Sequence, residues 1–303
     1  MRRRAAAAVV VAVLLTPARG HAHGGWAGAW TTDPGRVWGK LTFIYLRSDR
    51  LFADPISSLQ LACGGVIARS DRIPYDCTTG GVFEVSALYT DLMVGIADGV
   101  DAWIQLPLVL RQSFWNDSGL EATRDPSLGD VRFGARHRLL SEPFLLAFGW
   151  QLEAPTGSFT TDEGVPATGE GQWDLSGQLL ASSSIPHGYV QLDAGWRFRF
   201  ANATTLIDPG DQPIAGAEVA WQPYPWLTFP LRLEYFWGLP SESPREPVPR
   251  PNVWALEATV GAFFQVERVG IDLRAKIPLV GEGWPALPTF WIGVWWSTPP
   301  LWT

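Results

Sequence analysis

Apolar and polar residues alternate along most of this chain. The clearest run extends from Val190 to Phe200, where every second residue is apolar and Gln191, Asp193 and Arg197 are among the residues between. Successive side chains of a β-strand point to opposite faces of the sheet. The alternation therefore predicts strands with one apolar face and one charged face.

Twelve segments show this alternation between turn residues. They are 36–46, 83–96, 101–110, 130–140, 143–153, 172–183, 188–200, 212–222, 226–238, 253–265, 268–278 and 288–297. Most have the roughly 9 to 11 residues that a tilted strand needs to cross a bilayer, or slightly more. The number is even, as it is in bacterial outer-membrane barrels.

Long and short connections alternate along the chain. The first connection, 47–82, has 36 residues, whereas the next, 97–100, has four. Later connections follow the same order, with 154–171 followed by 184–187. Bacterial outer-membrane barrels have long extracellular loops and short periplasmic turns. The spacing therefore predicts long loops outside the cell and both chain termini in the periplasm.

A soluble antiparallel sheet can show the same alternation, with its apolar face inward. Here the apolar face is continuous, as in the stripes from Val131 to Leu139 and from Leu227 to Trp237. A soluble barrel of twelve strands would have to enclose all of these large side chains. We therefore expect an all-β fold, an antiparallel up-and-down transmembrane barrel of about twelve strands. Segments 36–46, 101–110 and 288–297 alternate less cleanly, and in the last the two faces cannot be distinguished.

Charged residues occupy the opposite face in strand after strand, and they are the candidate pore-lining residues. They are Arg132, Arg136, Arg138, Glu153, Asp174, Asp193, Arg197, Arg199, Glu218, Arg232, Glu234, Glu257, Asp272, Arg274 and Lys276. One interpretation is an aqueous path in which arginines attract anions and acids tune the field. The other is cross-strand ion pairs that fill the interior. Twelve strands lie between the filled interior of eight and the open channel of 16 to 18, and a packed or very narrow lumen is favoured.

The amino terminus has the pattern of a secretory signal peptide. Three arginines precede an apolar run from Ala5 to Leu15, and small residues follow as far as Ala22. The run is shorter than the roughly 20 residues of a spanning helix. We expect cleavage after Ala22, a signal peptide of 1–22 and one barrel domain of 23–303.

Composition agrees with export to a membrane and excludes some partners. Without the four arginines of the predicted signal, 19 basic and 30 acidic residues remain, a net charge of −11 that argues against binding nucleic acid. The chain has 17 Trp and 15 Phe, many of them at the ends of the alternating runs, where outer-membrane barrels carry aromatic girdles. The bilayer is therefore the first expected partner.

Two cysteines, Cys63 and Cys77, lie in the long 47–82 connection. In an exported protein this pair predicts a disulfide that closes a loop. Such a loop of about 15 residues gains roughly 3 kcal/mol of stability. Without nearby histidines the pair does not form a metal site, and no cofactor is expected.

An enzyme, such as an outer-membrane lipid hydrolase, is the less favoured alternative. After His23, the predicted mature chain has only His137 and His187. His137 lies in a predicted lipid-facing stripe without a neighbouring hydroxyl group, and His187 lies in a short turn. A nucleophile and its base must lie within about 3 Å, so no catalytic residue is assigned.

Several motifs resemble a family of outer-membrane proteins described as transporters of the MetA pathway of phenol degradation. The matching residues are Ser127-Leu128-Gly129-Asp130, which lead into Arg132-Phe133-Gly134-Ala135-Arg136-His137-Arg138-Leu139-Leu140, then Ala154-Pro155-Thr156-Gly157 and Gly169-Glu170-Gly171-Gln172-Trp173-Asp174-Leu175. The likeness covers roughly 83–240. It implies a barrel of twelve or a similar number of strands in the outer membrane of a Gram-negative bacterium and a role in the uptake of aromatic or other hydrophobic compounds.

Together these observations predict an outer-membrane channel or transporter for a small solute, with an aromatic or hydrophobic compound as the expected cargo. The alternative is a closed barrel that binds a partner at the cell surface through its loops. The oligomeric state stays open.

Overall fold

The protein forms a closed barrel of twelve antiparallel strands. A computed structural model describes residues 28–48, 50–52, 74–76, 82–115, 121–124, 126–158, 168–203, 206, 208–240, 253–282 and 286–302. The strands are β1 Val37–Ser48, β2 Val82–Ala97, β3 Val100–Trp115, β4 Val131–Leu140, β5 Leu145–Ala154, β6 Asp174–Ile185, β7 Gly188–Arg199, β8 Gln212–Tyr224, β9 Leu227–Trp237, β10 Trp254–Val266, β11 Val269–Glu282 and β12 Thr289–Ser297. The predicted signal peptide and both cysteines, Cys63 and Cys77, lie outside the described residues.

Each strand pairs with its neighbours in sequence, and β12 pairs with β1. The closing register places Phe43 opposite Ile292 and Lys40 opposite Trp295. The predicted fold class, an antiparallel up-and-down barrel, is confirmed. Short strands accompany the barrel: Arg50–Phe52 pairs with Pro74–Asp76, and Glu121–Arg124 and Ser127–Leu128 both pair with β3. The described residues include no helix that is both long and apolar enough to cross a membrane.

The outward face is apolar around the barrel. Leu231 and Leu233 in β9 are 45% and 43% exposed, as a face in contact with lipid requires. In β12 the register assigns the faces that the sequence left open: Phe290 is 55% exposed, whereas Trp295 is 6% exposed and points inward. The faces of this strand were ambiguous because large apolar residues occupy both of them.

Strand β3 extends beyond its predicted end at Leu110. Its register against β2 shifts between Val109 and Arg111, which leaves Leu110 as the extra residue of a β-bulge. The bulge reverses the alternation for the rest of the strand. The period-two pattern therefore stops at this point although the hydrogen-bonded ladder continues to Trp115.

A network of hydrogen bonds at the long-loop rim joins the motifs that carry the family resemblance, and we call it the rim clip. The Asp130 carboxylate accepts hydrogen bonds from the backbone N–H groups of Gly157 at 2.9 Å and Glu170 at 2.6 Å. The Thr156 hydroxyl donates to the Gly129 carbonyl at 2.8 Å. Burial raises the pKa of the Asp130 carboxyl above its ordinary value, and the two N–H donors act in the opposite direction. The clip fastens both ends of the β5–β6 loop to the start of β4.

Replacement of Leu231 by arginine tests the outward face. Leu231 lies in the middle of β9, so Leu231→Arg should cost about 2–4 kcal/mol of unfolding free energy, as charged residues do at the bilayer midplane. The measurement is urea unfolding of the refolded protein in lipid vesicles. The control is Ser141→Arg in the exposed β4–β5 turn, which should leave the stability nearly unchanged. Equal stability of the two variants would contradict the assignment of this face to lipid.

Replacement of Gly169 by alanine tests the rim clip. The added Cβ would lie 2.2 Å from Asp130 Oδ1, so the carboxylate would have to leave its N–H donors. We expect a loss of about 1.5–3 kcal/mol, the net value of hydrogen bonds to a charged group, together with faster hydrogen exchange at the amides of Gly157 and Glu170.

The matched control for this variant is Gly177→Ala, because a Cβ at Gly177 meets only Phe148, at an ordinary 3.5 Å. The clip would be unimportant for stability if the two variants behaved alike.

Candidate functional site

A cavity of about 820 Å³ lies inside the barrel. At the short-turn end it reaches His187 and the β8–β9 turn at Pro225. In the other direction it extends to Arg132, the second residue of β4 from the long-loop rim. The cavity therefore follows the direction that a solute would take through the barrel.

The predicted candidate residues are distributed between the cavity and the barrel wall. Those that line the cavity are Arg132, Glu218, Arg232, Glu234, Asp272, Arg274 and Lys276. Six others, Glu153, Asp174, Asp193, Arg199, Glu257 and Arg136, are ion-paired at other places inside the barrel. The remaining two are Arg138, which pairs with Asp98 of the β2–β3 turn at 2.6 Å, and Arg197.

One ion-pair network, with side chains from β7, β9, β10 and β11, runs along the wall formed by β7 to β11. Arg232 contacts Asp193 at 2.7 Å and Glu234 at 3.1 Å. Lys276 contacts Glu234 at 3.1 Å and Glu257 at 2.9 Å. Of these described contacts, Lys276 with Glu257 joins adjacent strands, whereas β8 separates Asp193 from Arg232 and β10 separates Glu234 from Lys276. The network agrees with the second of the two interpretations from the sequence, in which ion pairs fill the interior.

A second group of charges centres on Asp272, whose side chain is almost completely buried. Its carboxylate forms ion pairs with both Lys40 and Arg274. The Arg274 guanidinium also lies over the Phe263 ring, 4.4 Å from its centroid, a cation–π contact. Lys40 was not among the predicted residues because its strand, β1, lacks a clean alternation.

Charges near the long-loop rim are also paired. Arg132 contacts Glu153 at 2.9 Å through Nε, and its Nη2 donates to the other carboxylate oxygen at 3.0 Å. Arg199 contacts Asp174 at 3.3 Å and forms a second ion pair with Glu170. Arg132 with Glu153, and Arg199 with Asp174, lie directly opposite each other on adjacent strands, so these are cross-strand ion pairs.

Arg197 differs from these arginines. It donates to the Gln212 side chain at 3.4 Å, and within the described part of the chain it has no carboxylate within 4.0 Å. It does not line the cavity. The positive charges that were expected to attract anions are thus neutralised locally, with Arg197 as the exception.

Two carboxylates of the cavity wall have no cation within 4.0 Å among the residues that the structure describes. Asp91 accepts a hydrogen bond from Gln105 Nε2 at 2.7 Å. Glu218 accepts one from the Tyr189 hydroxyl and one from Gln191 Nε2, each at 2.8 Å. Glu218 was predicted, whereas Asp91 was missed because it is an isolated acid in a largely apolar strand.

Aromatic side chains form part of the same wall. Trp38 from β1, Trp291 and Trp295 from β12, and Phe263 from β10 all line the cavity. The sequence predicted tryptophan residues at the membrane interface. The structure shows that some of them also lie inside the barrel. The cavity therefore offers both ion pairs and aromatic surface.

Residues 28–36 precede β1 and cross the lumen near the short-turn end, and we call them the inner segment. The backbone N–H of Ala29 donates to Ser182 Oγ on β6 at 2.9 Å, and Trp30 packs edge-to-face on Tyr189 of β7 with ring centroids 5.4 Å apart. In a closed ring of twelve strands, β7 lies opposite β1. The inner segment therefore spans the barrel from wall to wall.

A buried ion pair anchors the inner segment. Arg136 contacts Asp101 at 2.7 Å, with 3% and 0% of the two side chains exposed. The Asp101 carboxylate accepts a hydrogen bond from the N–H of Thr32 at 2.8 Å, and Arg136 donates to the carbonyl of Gly28. The sequence does not predict this segment, because it is neither strand nor helix and therefore has no periodic pattern of apolar residues.

The two histidines lie where the sequence placed them. His137 is exposed on the outward face of β4, and His187 lies in the β6–β7 turn with a φ of 58°. Among the described residues no group of three or more His, Cys, Asp or Glu side chains could hold a metal ion.

Comparison with known proteins identifies the fold. No family model matches the chain, and no curated protein sequence matches it. An outer-membrane channel from Pseudomonas putida F1 is similar in structure, with a TM-score of 0.73 and 14% identity over 92% of this chain and 100% of that one. The β domain of the Bordetella autotransporter BrkA gives a TM-score of 0.50 and 12% identity over 88% and 100%.

These likenesses show the fold of a bacterial outer-membrane β-barrel, and the predicted location in that membrane is confirmed. The role in a MetA pathway stays a prediction.

Removal of the inner segment tests its effect on the lumen. A chain that begins at Pro34 should conduct severalfold more current per channel than the chain that retains the segment, because the short-turn end of the lumen becomes wider. The measurement is unitary conductance in a planar bilayer. The control is Thr32→Val, which keeps the backbone N–H that binds Asp101 and should change conductance little. Unchanged conductance of the shortened chain would show that the narrowest point lies elsewhere.

Proposed function

We propose that the protein is a passive outer-membrane channel for a small solute that carries an aromatic or other apolar group. The observation that carries this proposal is the cavity of about 820 Å³ inside the barrel, with aromatic side chains and ion pairs on one continuous wall. The similar channel of Pseudomonas putida F1 supports passage through such a barrel.

The size of the cavity suits a small molecule. Ligand cavities in proteins usually measure about 300–1,000 Å³ and are lined largely by apolar and aromatic groups, with a few polar groups that orient the ligand. A channel must also release what it binds, so the contacts have to be numerous and individually weak. Trp38, Trp291 and Trp295 offer flat apolar contacts of this kind.

The ion pairs explain how a charged lumen can pass a solute that is partly apolar. Arg232, for example, is paired with Asp193 two strands away, and Lys276 is paired with Glu257 on the adjacent strand. Paired side chains offer hydrogen bonds to a passing solute but do not bind every small ion strongly. The path is therefore polar without a dense row of free charges of one sign.

A closed barrel that binds a partner through its loops is the second candidate. The inner segment favours it, because a segment that spans the lumen obstructs the short-turn end. The two candidates differ in a single measurable property, since a closed barrel conducts no ions when it is folded in a bilayer.

Replacement of Thr259 by tryptophan tests the proposed function. Thr259 lines the cavity and is 3% exposed, whereas the next residue of β10, Val260, is 40% exposed on the outward face. Thr259→Trp should reduce conductance and slow the entry of small aromatic solutes into proteoliposomes, because the added ring occupies the path. Val260→Trp adds the same ring on the lipid side and should leave both rates unchanged.

The starting protein must conduct for this comparison to support a channel. Refolded barrel that gives no current and no solute entry would favour the closed barrel instead.

A further inference from the structure

The cationic side chains at the cavity wall have carboxylate partners, whereas two of the carboxylates at this wall have no cation nearby among the described residues. Each cation that lines the cavity, namely Lys40, Arg132, Arg232, Arg274 and Lys276, lies within 4.0 Å of a carboxylate. Two lining carboxylates, Asp91 and Glu218, have no cation within that distance in the described part of the chain. Lys40 and Arg274 share Asp272, whereas Arg232 and Lys276 together contact Asp193, Glu234 and Glu257, so the five cations contact five carboxylates in all, with Glu153 at Arg132. Asp91 and Glu218 are additional to these five, and the net fixed charge of the group is therefore negative.

Both carboxylates are held rigidly beside the cavity. Asp91 and Glu218 are each 7% exposed, and within the described ranges each accepts its hydrogen bonds on one oxygen, Oδ1 of Asp91 and Oε1 of Glu218. The donors are an amide of Gln105 for Asp91, and the Tyr189 hydroxyl and Gln191 amide for Glu218. Neutral donors orient a carboxylate but do not neutralise its negative charge. The second oxygen of each carboxylate is available to a solute in the cavity.

Asp91 and Glu218 lie on opposite walls. Asp91 is on β2 and Glu218 on β8, which are six strands apart in either direction around the closed ring. A solute in the cavity therefore passes between two fixed negative charges.

Aromatic rings on the adjoining strands add to the attraction for cations. Trp38 of β1 and Trp291 and Trp295 of β12 line the same cavity. The face of an indole ring attracts an ammonium group, and tryptophan is the best side chain for this contact. Phe263 shows that the wall already supports such a contact, because the Arg274 guanidinium lies over its ring.

From these observations we infer that the cavity selects small organic cations, in which an ammonium group is attached to an aromatic or apolar body, and that Asp91 and Glu218 are the residues that determine this selectivity. The inference rests on the proposed passage of a solute through the same cavity. This cation selectivity is the opposite of the anion preference that the arginines of the sequence suggested. The arginines that line the cavity are ion-paired, so they do not attract anions strongly.

The first test is binding of two probes with the same ring and opposite charge. Isothermal titration of the full chain in detergent micelles should detect benzylammonium and show weaker or no binding of benzoate. A fixed unit charge about 4 Å away in water changes affinity by about fivefold, so Asp91→Asn and Glu218→Gln should each weaken benzylammonium binding by about that factor. Glu142→Gln, in the exposed β4–β5 turn, is the matched control and should have no effect.

The second test is ion selectivity in a planar bilayer. With a KCl gradient the wild-type channel should prefer K⁺ over Cl⁻, and the double variant Asp91→Asn/Glu218→Gln should lose this preference while it continues to conduct.

The two measurements separate the inference from the proposed function. Benzoate binding as tight as that of benzylammonium, or a wild-type preference for Cl⁻, overturns the inference, and the preference for Cl⁻ would direct attention to Arg197. If a folded barrel binds benzylammonium selectively but never conducts, the cation site is supported and the proposed channel function is overturned.

Discussion

The hydrogen-bonded ring of strands is the constraint on which the rest of this structure depends. A bilayer supplies no water to backbone N–H and C=O groups, so a sheet that crosses it must close on itself. Here β1 and β12 complete the ring through nine registered residue pairs, from Trp38 with Ser297 to Leu46 with Thr289. Closure fixes which face of every strand meets lipid and encloses the other face in a lumen.

The enclosed face has to accommodate charge. A buried charge without a partner costs several kcal/mol, and partners of opposite charge on the same or nearby strands offset that cost. The networks around Arg232, Lys276 and Asp272 serve this purpose and also occupy lumen space. The inner segment fills the short-turn end with backbone anchored by the pair of Arg136 and Asp101. The cavity that remains is lined by aromatic rings, by ion-paired side chains of these networks, and by Asp91 and Glu218.

Most of the motif residues that resemble a known family form structure at the rim, whereas Arg132 lines the cavity and Arg136 anchors the inner segment. Asp130, Gly157 and Gly169 hold the start of β4 against the β5–β6 loop through hydrogen bonds and close backbone contacts. Sequence likeness in these rim residues indicates a shared way of attaching the β5–β6 loop to β4. Apart from Arg132, the cavity is lined by side chains outside these motifs.

The sequence by itself determined the strand number, the alternation of long and short connections and the outward faces, because each follows from local periodicity and from turn residues. It also supplied Glu218, Arg232 and Lys276 as inward charges. Tertiary structure alone decided the faces of β12, which depend on its register with β1 and β11, and the bulge in β3. It also brought Lys40 to Asp272 and placed residues 28–36 across the lumen. Ion pairing, a cavity and a plug-like segment arise from contacts between residues far apart in the chain, and no local pattern records such contacts.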